Sequence, residues 1–450
     1  MGMHRNQLTG VQAAATLADL GSASIAAGVI ARRPPVVRVL EKLQADTRAL
    51  ARMKKLRDQF GRGPVELVLP GRRMLVITDP EDVGRVLDGA PDPFHPANAE
   101  KRKALQWFQP HGVLISQGPI RQERRRFNEA VLDFGSDLHR LAGAFSDVIA
   151  AETAEIIDHA TRGGHLDSTL FMRGWWRMVR RLTLGPSARD DEDITGSLSR
   201  LRSAGNWSFL SLPHYRARAR FFQRLYGYAE NPQPDTLMAA VASTPTSGAV
   251  DAVGQVPQWL FAFDAAGMAS LRALALLASH PEKLTRAVED AATPNAPLSR
   301  QFLRASVLES VRLWPTTPTI LRDITEDTEW RSGSERFTVA AGAGLMIVAP
   351  AFHRDDELLP FAHHFSPDIW LDGRAQRYPQ LVPFSAGPAE CPGRDLVLFT
   401  TSSVLAHLLS ALDFRLTSQP RLSPQQPLPM TVNQFALDFA VAPTSAMSTA

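Results

Sequence analysis

The sequence predicts a mainly α protein with small β-sheets, and three observations predict it. Apolar residues recur at helical spacing through most of the stretch from Val37 to Leu313. The longest apolar run, Gln255 to Ser279, is helical in pattern and ends at His280-Pro281. Strand-like pieces cluster near the start and in the last third. The chain has 450 residues, enough for two or three domains, yet no repeat or long linker divides it. The expectation is a flexible leader over 1–35, a single domain over 36–443 and a disordered tail over 444–450.

The elements follow in order. Gln12 to Ala31 reaches transmembrane length, but Ala supplies most of its apolar content and Asp19 interrupts it. Real spans are richer in Leu, Ile, Val and Phe, so no stable membrane insertion is expected. Pro34-Pro35 closes this leader. Val36 to Phe60 carries Val37, Leu40, Leu43, Leu50, Met53 and Leu56 between charges, a helix that Gly61 to Gly63 stops. Val65 to Leu69 and Met74 to Thr78 flank Pro70-Gly71 as a hairpin. Asp79-Pro80-Glu81 opens another helix. Arg121 to Gly205 is mainly helical in pattern, and Phe209 to Glu230 is an aromatic, Arg-rich helix. A loop at Thr244 to Gly248 precedes the long apolar helix, and Leu298 to Leu313 is the next helix, stopped by Pro315. Ile320–Ile324, Arg336–Val339 and Gly344–Val348 read as strands. A Gly- and Pro-rich loop then enters the apolar helix Arg394 to Leu409, and Met430 to Val441 alternates like a late strand or hairpin.

The formal charge of +3 is small for this length, so nothing points to nucleic acid. One cysteine excludes a disulfide-stapled scaffold and fits a reducing, cytoplasmic compartment. Arginine greatly outnumbers lysine, as in GC-rich bacterial genomes.

That cysteine, Cys391, lies in Phe384-Ser-Ala-Gly387-Pro-Ala-Glu-Cys391-Pro-Gly393, at a loop-to-helix junction. One thiol cannot build a zinc or iron–sulfur site alone. Backbone N–H groups and a helix N-terminus favour its thiolate, and a single-thiolate contact suits haem iron. A buried, inert thiol is the other reading of the same spacing. Glu309 and Arg312 stand three apart on a predicted helix, so the charges share a face among apolar neighbours. Phe261 to Ser270 lies mid-helix with a small-residue patch of Ala265, Ala266, Gly267 and Ala269. Glycine there costs about 1 kcal/mol relative to Ala. The patch admits either a large group close to the backbone or tight helix–helix packing. Arg121 to Arg126 is a basic helix start, either a solvated face or a cradle for cofactor carboxylates.

Taken together, these four segments resemble the cytochrome P450 superfamily of haem-thiolate monooxygenases, in order and separation, over nearly the whole chain. The resemblance implies a triangular prism built around buried haem b. It makes Cys391 the axial ligand within the signature formed with Phe384, Gly387 and Gly393. It makes Glu309 and Arg312 a structural lock under that loop. Arg121, Arg125 and Arg322 map to positions that contact the haem propionates. Ala266 to Ser270 maps to the oxygen-activation groove, with Gly267, Ala269 and Ser270 at the catalytic positions. Trp107, Phe108, Phe261, Ala265, Ala266, Thr317, Thr319 and Gln434 map to substrate-lining segments.

Three departures accompany the match. Ala389 replaces the usual basic propionate partner before the cysteine. Ile369 stands where the third member of the Glu-Arg-Arg network is expected, with Arg374 nearby. Ala269-Ser270 replaces an acid followed by Thr, leaving Asp264 as the alternative proton source, a binder of a polar substrate group or a structural hydrogen-bonding residue. The implied activity is O2-dependent monooxygenation of a moderately hydrophobic small molecule by a soluble bacterial enzyme. Electrons would come from a separate ferredoxin or flavodoxin with its reductase. A peroxide-using or non-oxygenating haem-thiolate enzyme and a non-catalytic haem-binding sensor are the rival expectations.

Overall fold

The structure is a computed structural model and describes residues 6–208, 214–292 and 299–444. The predicted tail beyond Thr444, the first residues of the Phe209 to Glu230 helix and Leu298 lie outside those residues.

The chain opens with strand β1 (Gln7–Thr9) and helix α1 (Gly10–Ala27), followed by α2 (Pro34–Lys42) and α3 (Thr47–Phe60). Two expectations are corrected here. Of the leader expected over 1–35, the described part from residue 6 is not free chain: β1 pairs in parallel with β2 (Val65–Leu69), and α1 buries Ala13, Thr16, Leu20 and Gly21. Asp19 on α1 forms an ion pair with Arg52 on α3. The helix expected over Val36 to Phe60 breaks in two, because Gln44 adopts φ +46°. Its amide donates to the carbonyls of Glu41 at 2.7 Å and Thr431 at 3.0 Å.

β2 pairs with β3 (Arg72–Val76) as the predicted hairpin, which ends at Val76 rather than Thr78. Helix α4 (Pro80–Asp88) starts at Asp79, whose carboxylate accepts the Glu81 N–H at 2.9 Å. Strand β4 (Phe94–His95), α5 (Ala99–Leu105) and α6 (Pro119–Val131) lead into α7 (Ala142–Gly163). A short strand that the helical pattern did not reveal, β5 (His165–Asp167), separates α7 from α8 (Ser168–Leu184). Helices α9 (Glu192–Gly205), α10 (Tyr215–Glu230) and α11 (Leu237–Ser243) precede the central α12 (Val256–Ala278). Among the described residues only this central stretch is long and apolar enough to cross a membrane, and it is mostly buried inside the fold.

After α13 (Pro281–Ala291) and α14 (Gln301–Leu313) come β6 (Thr319–Ile324), β7 (Thr328–Ser332), β8 (Glu335–Val339) and β9 (Gly344–Val348). The short α15 (Ala349–His353), then α16 (Arg394–Ala411), β10 (Leu412–Leu416) and β11 (Asp438–Pro443) complete the chain. The late strand is shorter than the alternation of Met430 to Val441 suggested: Gln434–Ala436 is a tight helical turn. Six strands form a mixed sheet in the order β1-β2-β3-β9-β6-β4, three form β10-β11-β5, and β7-β8 is a hairpin.

One large core gathers the helices, with Trp175, Phe171 and Phe399 fully buried. A second core packs on the six-stranded sheet, and a third lies under the irregular chain from Leu359 to Leu381. The cysteine loop emerges from that third region and feeds α16, which packs on α14 and α12.

Candidate active site

The site is built on α14. Its i, i+3 spacing brings Glu309 and Arg312 together, and both side chains are 0% exposed. Arg312 donates to both carboxylate oxygens, at 2.8 Å from Nε and 2.6 Å from Nη2. Its remaining N–H groups reach the carbonyls of His353, Ala362 and His364 at 2.8–3.0 Å. Glu309 accepts two further bonds, from the Ser366 N–H and from the Trp370 indole, each at 2.9 Å. A buried pair holds only when every donor and acceptor is met, and here they are. The expected third member is therefore supplied by Trp370, one residue beyond Ile369. Arg374 pairs with exposed Asp372 instead.

His353 continues the scaffold. It is fully buried, bonded through Nδ1 to the Arg312 carbonyl at 3.2 Å and through Nε2 to the Val382 N–H at 3.0 Å. Burial, with nearby Arg312, pushes its pKa down to about 3, so it stays neutral. Val382 is the second residue before Phe384, where the cysteine loop begins.

In that loop the Cys391 N–H donates to the Phe384 carbonyl at 3.0 Å and the Glu390 N–H to the Gly387 carbonyl at 2.9 Å. Gly387 takes φ +64° and lies against the Leu87–Asp88 backbone at the end of α4, where a Cβ would collide. Burial pushes the Cys391 thiol up; the Gly393 N–H, Arg125 and Arg394 oppose this without overcoming it. Burial thus works against the thiolate that the helix junction favours, and a bound metal ion would offset it. Although Cys391 lies deep in the molecule, it keeps accessible surface, as do its neighbours from Pro383 to Arg394.

Basic residues converge beside that loop. Arg322 on β6 is 3% exposed, and its Nη2 lies 3.5 Å from Ser385 Oγ of the cysteine loop. Arg121 on α6 is 6% exposed. The Nε of each has no hydrogen-bond partner among the described residues. Burial and the charge of Arg121 bring Arg322 down to about 10; burial, then Arg125, lowers Arg121. Two buried guanidiniums with unspent donors, one of them touching the cysteine loop, suit the paired carboxylates of haem. Arg125 is placed differently from the expectation. It bonds Glu129 at 2.6 Å and the Glu390 carbonyl, tying α6 to the residue before Cys391.

On α12, Ser270 is 0% exposed and its hydroxyl donates back to the Ala266 carbonyl at 3.0 Å. The Ala269 carbonyl accepts from Ser310 on α14 at 3.0 Å. Gly267 settles the small-residue patch in favour of helix packing at that position: a Cβ there would stand 2.9 Å from Trp175 Nε1 and 3.0 Å from Met172 Sδ. Asp264 is paired with Arg202 of α9 at 2.7 Å. Arg202 also donates to the Ile30 carbonyl and lies over the Phe261 ring.

The remaining substrate-lining expectations divide. Phe108 is fully buried and meets Phe261 edge-on at 5.7 Å, and Trp107 is buried against His214. Phe261, Ala265 and Thr319 are half-buried, Ala266 is buried and Thr317 is exposed. Gln434 is buried and committed to α12, accepting from Arg272 at 2.7 Å and donating toward Met268 Sδ at 3.5 Å.

Sequence reasoning missed Trp370, the bridging role of His353, and Arg202. Trp370 lies 61 residues from Glu309, a contact that the sequence pattern does not reveal. Arg202 lies 62 residues from its partner and gave no signal.

Residues 268–438 match the family model described as Cytochrome P450. That span holds Ser270, Glu309, Arg312, Arg322, Trp370 and Cys391. The chain is 32% identical over 145 residues to "Probable cytochrome P450 4s3" of Drosophila melanogaster, covering 32% of this chain and 28% of that protein. It is 31% identical over 145 residues to "Cyclooctat-9-en-7-ol 5-monooxygenase" of Streptomyces melanosporofaciens, covering 30% and 31%. It is 34% identical over 116 residues to "Cytochrome P450 4c21" of Blattella germanica, covering 25% and 22%. The chain thus spans less than a third of the length of these curated relatives. The family binds haem, iron protoporphyrin IX, through a cysteine thiolate, which agrees with a lone thiol on a loop touched by Arg322, one of two buried guanidiniums whose Nε has no partner among the described residues. The matched segment, its buried Glu309–Arg312 lock and the loop that lock supports agree: residues 268–438 of this chain are similar to the cytochrome P450 superfamily.

Proposed function

We propose that this chain is a haem-thiolate monooxygenase that inserts one atom of O2 into a moderately hydrophobic organic molecule in the cytoplasm. Electrons come from a separate ferredoxin or flavodoxin with its reductase. The observation that carries this reading is the position of Cys391, the lone thiol, part-exposed on a loop fixed through Val382, His353 and Arg312. Haem held by a thiolate supplies an oxidant that attacks unactivated C–H bonds.

The chain's own residues have four tasks. Cys391 would provide the sulfur that holds the haem iron, and Glu390 and Arg125 hold its loop against α6. Arg121 and Arg322 bind the carboxylates and orient the ring. Ser270 offers a hydroxyl that must leave the Ala266 carbonyl to reach a ligand. Phe261, Ala265, Ala266 and Thr319 give the substrate a mostly apolar wall. The basic start of α6, with Arg126 exposed, suits docking of an acidic electron carrier by long-range attraction.

The test is spectroscopic. The reduced protein under carbon monoxide is expected to show the red-shifted Soret band of a thiolate ligand, and Cys391→Ser is expected to lose it. A full band in the serine variant, or none in the wild type, overturns the assignment.

A second reading has its own support. Ala269 cannot relay a proton, and Asp264 is tied to Arg202 rather than free beside Ser270. This favours an enzyme that takes peroxide directly or performs a non-oxygenating reaction. Turnover with peroxide alone, compared with reductase plus ferredoxin, separates the two.

A further inference from the structure

Ala389 leaves one side of the expected propionate clamp without a basic group, and the structure holds a replacement from another part of the chain. Lys101 on α5 sits deep in the molecule yet keeps accessible surface, the same combination seen at Cys391. Its ammonium donates one bond, to the Pro96 carbonyl at 2.7 Å. An ammonium has three donors, so two remain.

The charges around Lys101 do not balance. Burial, then Arg322, then Arg121 disfavour its charged form, bringing the pKa down to about 7, and Asp323 is the acid that opposes them. Asp323 is already engaged by Arg72 at 2.7 Å and by the Ala99 N–H at 2.9 Å. Of the two other acids near Arg121, Asp92 accepts from Thr325 at 3.2 Å and Glu129 is held by Arg125 at 2.6 Å. His95 adds a donor: its Nδ1 accepts the Ala97 N–H at 3.1 Å, which leaves the proton of the neutral ring on Nε2. Three basic side chains with unused donors therefore share one buried region without a free acid among the described residues. A fold tolerates such a cluster when a ligand brings the opposite charge.

We propose that Lys101 binds a haem propionate and takes over the contact that Ala389 cannot make. This rests on the haem-binding reading above. Lys101 is a binding residue with no part in oxygen chemistry, so its removal leaves thiolate ligation intact while loosening the ring.

Haem transfer from the holoenzyme to excess apomyoglobin, followed in the Soret region, tests this. Lys101→Met is expected to lose haem roughly tenfold faster than wild type, since a charge-assisted hydrogen bond disappears. Its carbon monoxide band is expected to keep the wild-type position. Its reduction potential is expected to fall, because a positive charge beside the ring favours the reduced state. Ala389→Arg placed in the Lys101→Met background is expected to restore both the slow haem loss and the potential. Unchanged haem loss and potential in Lys101→Met overturn the proposal, and so does failure of Ala389→Arg to restore either in the double variant. A wild-type protein without the thiolate band fails the underlying reading instead, so the two failures are distinguishable.

Discussion

A carboxylate on the central helix can deliver protons only while it is free to change partner, and Asp264 is not. Arg202 holds it at 2.7 Å with side-chain exposures of 7% and 17%, and the same guanidinium is anchored to the Ile30 carbonyl. Asp264→Asn strands a nearly buried cation, a cost of about 1–3 kcal/mol after allowing for partial exposure. Arg202→Met should cost a similar amount, and the double variant less than the sum by about 1 kcal/mol or more. Urea unfolding of the four proteins measures the coupling, and strict additivity removes the pair from the account. Gly267 poses a second residue-scale question. The contact with Met172 can yield because the thioether is flexible, whereas the Trp175 indole is locked by its bond to the Phe263 carbonyl at 2.9 Å. Gly267→Ala gains helix propensity of about 1 kcal/mol, yet overpacking against a fixed ring costs about 1–3 kcal/mol. The expected net is a lower urea midpoint, and Trp175→Phe in the same background should recover part of it.

At the scale of elements, α14 is the part on which the site is assembled. It fixes Glu309 and Arg312, and through His353 it reaches the strand of loop that ends in Cys391. Removing one partner of this pair exposes the other to an apolar interior. Glu309→Gln is therefore expected to cost about 3–5 kcal/mol. Trp370→Phe keeps the ring and removes one donor from Glu309 Oε2, which still holds Arg312, so about 1–2 kcal/mol is expected. Both variants should incorporate less haem, in that order, as read from the ratio of Soret to protein absorbance and from thermal melts. Equal haem content in all three proteins removes the structural link between α14 and the cysteine loop. The N-terminal helix α1 shows the opposite relation between sequence and element. It is held by small residues, Ala13, Thr16 and Gly21, with Leu20, by the Asp19–Arg52 pair, and by β1 on the edge of β2. An interface of small side chains leaves no strong apolar stripe, which is why the segment looked like loose chain.

For the whole molecule, what was legible depended on how far apart the partners lie in the chain. The cysteine loop is contiguous and Glu309–Arg312 is an i, i+3 pair, so both could be found from spacing. The mainly helical architecture and the β2–β3 hairpin were legible for the same reason. Contacts between distant elements were not: Arg202 with Asp264, Trp370 with Glu309, and Lys101 in the cluster of Arg121 and Arg322 each require the tertiary fold. The break at Gln44 was hidden because it depends on a bond to Thr431. Buried neutral histidines are a further collective property, and they govern how the fold meets acid. His353 is pushed down to about 3 and His139 and His280 are also lowered, burial being the first cause at each. The unfolded chain takes a proton on the His353 imidazole near the ordinary value of 6.5, and the native fold takes it only near 3. Unfolding therefore binds protons, so the stabilisation is complete above pH 6.5 and is lost as pH falls toward 3. Each such group contributes a slope approaching about 1.4 kcal/mol per pH unit inside its window. Asp82, raised to about 6 by burial and by Asp79, acts in the opposite sense, so the wild-type slope alone is ambiguous. The difference between wild type and His353→Gln isolates one group. The variant should be less stable at pH 7, because the bridge from Arg312 to Val382 is weakened, and its stability should fall less steeply between pH 6 and 4 by up to one proton's worth. Denaturant unfolding across that range measures both, and parallel curves would remove His353 as a determinant of acid stability.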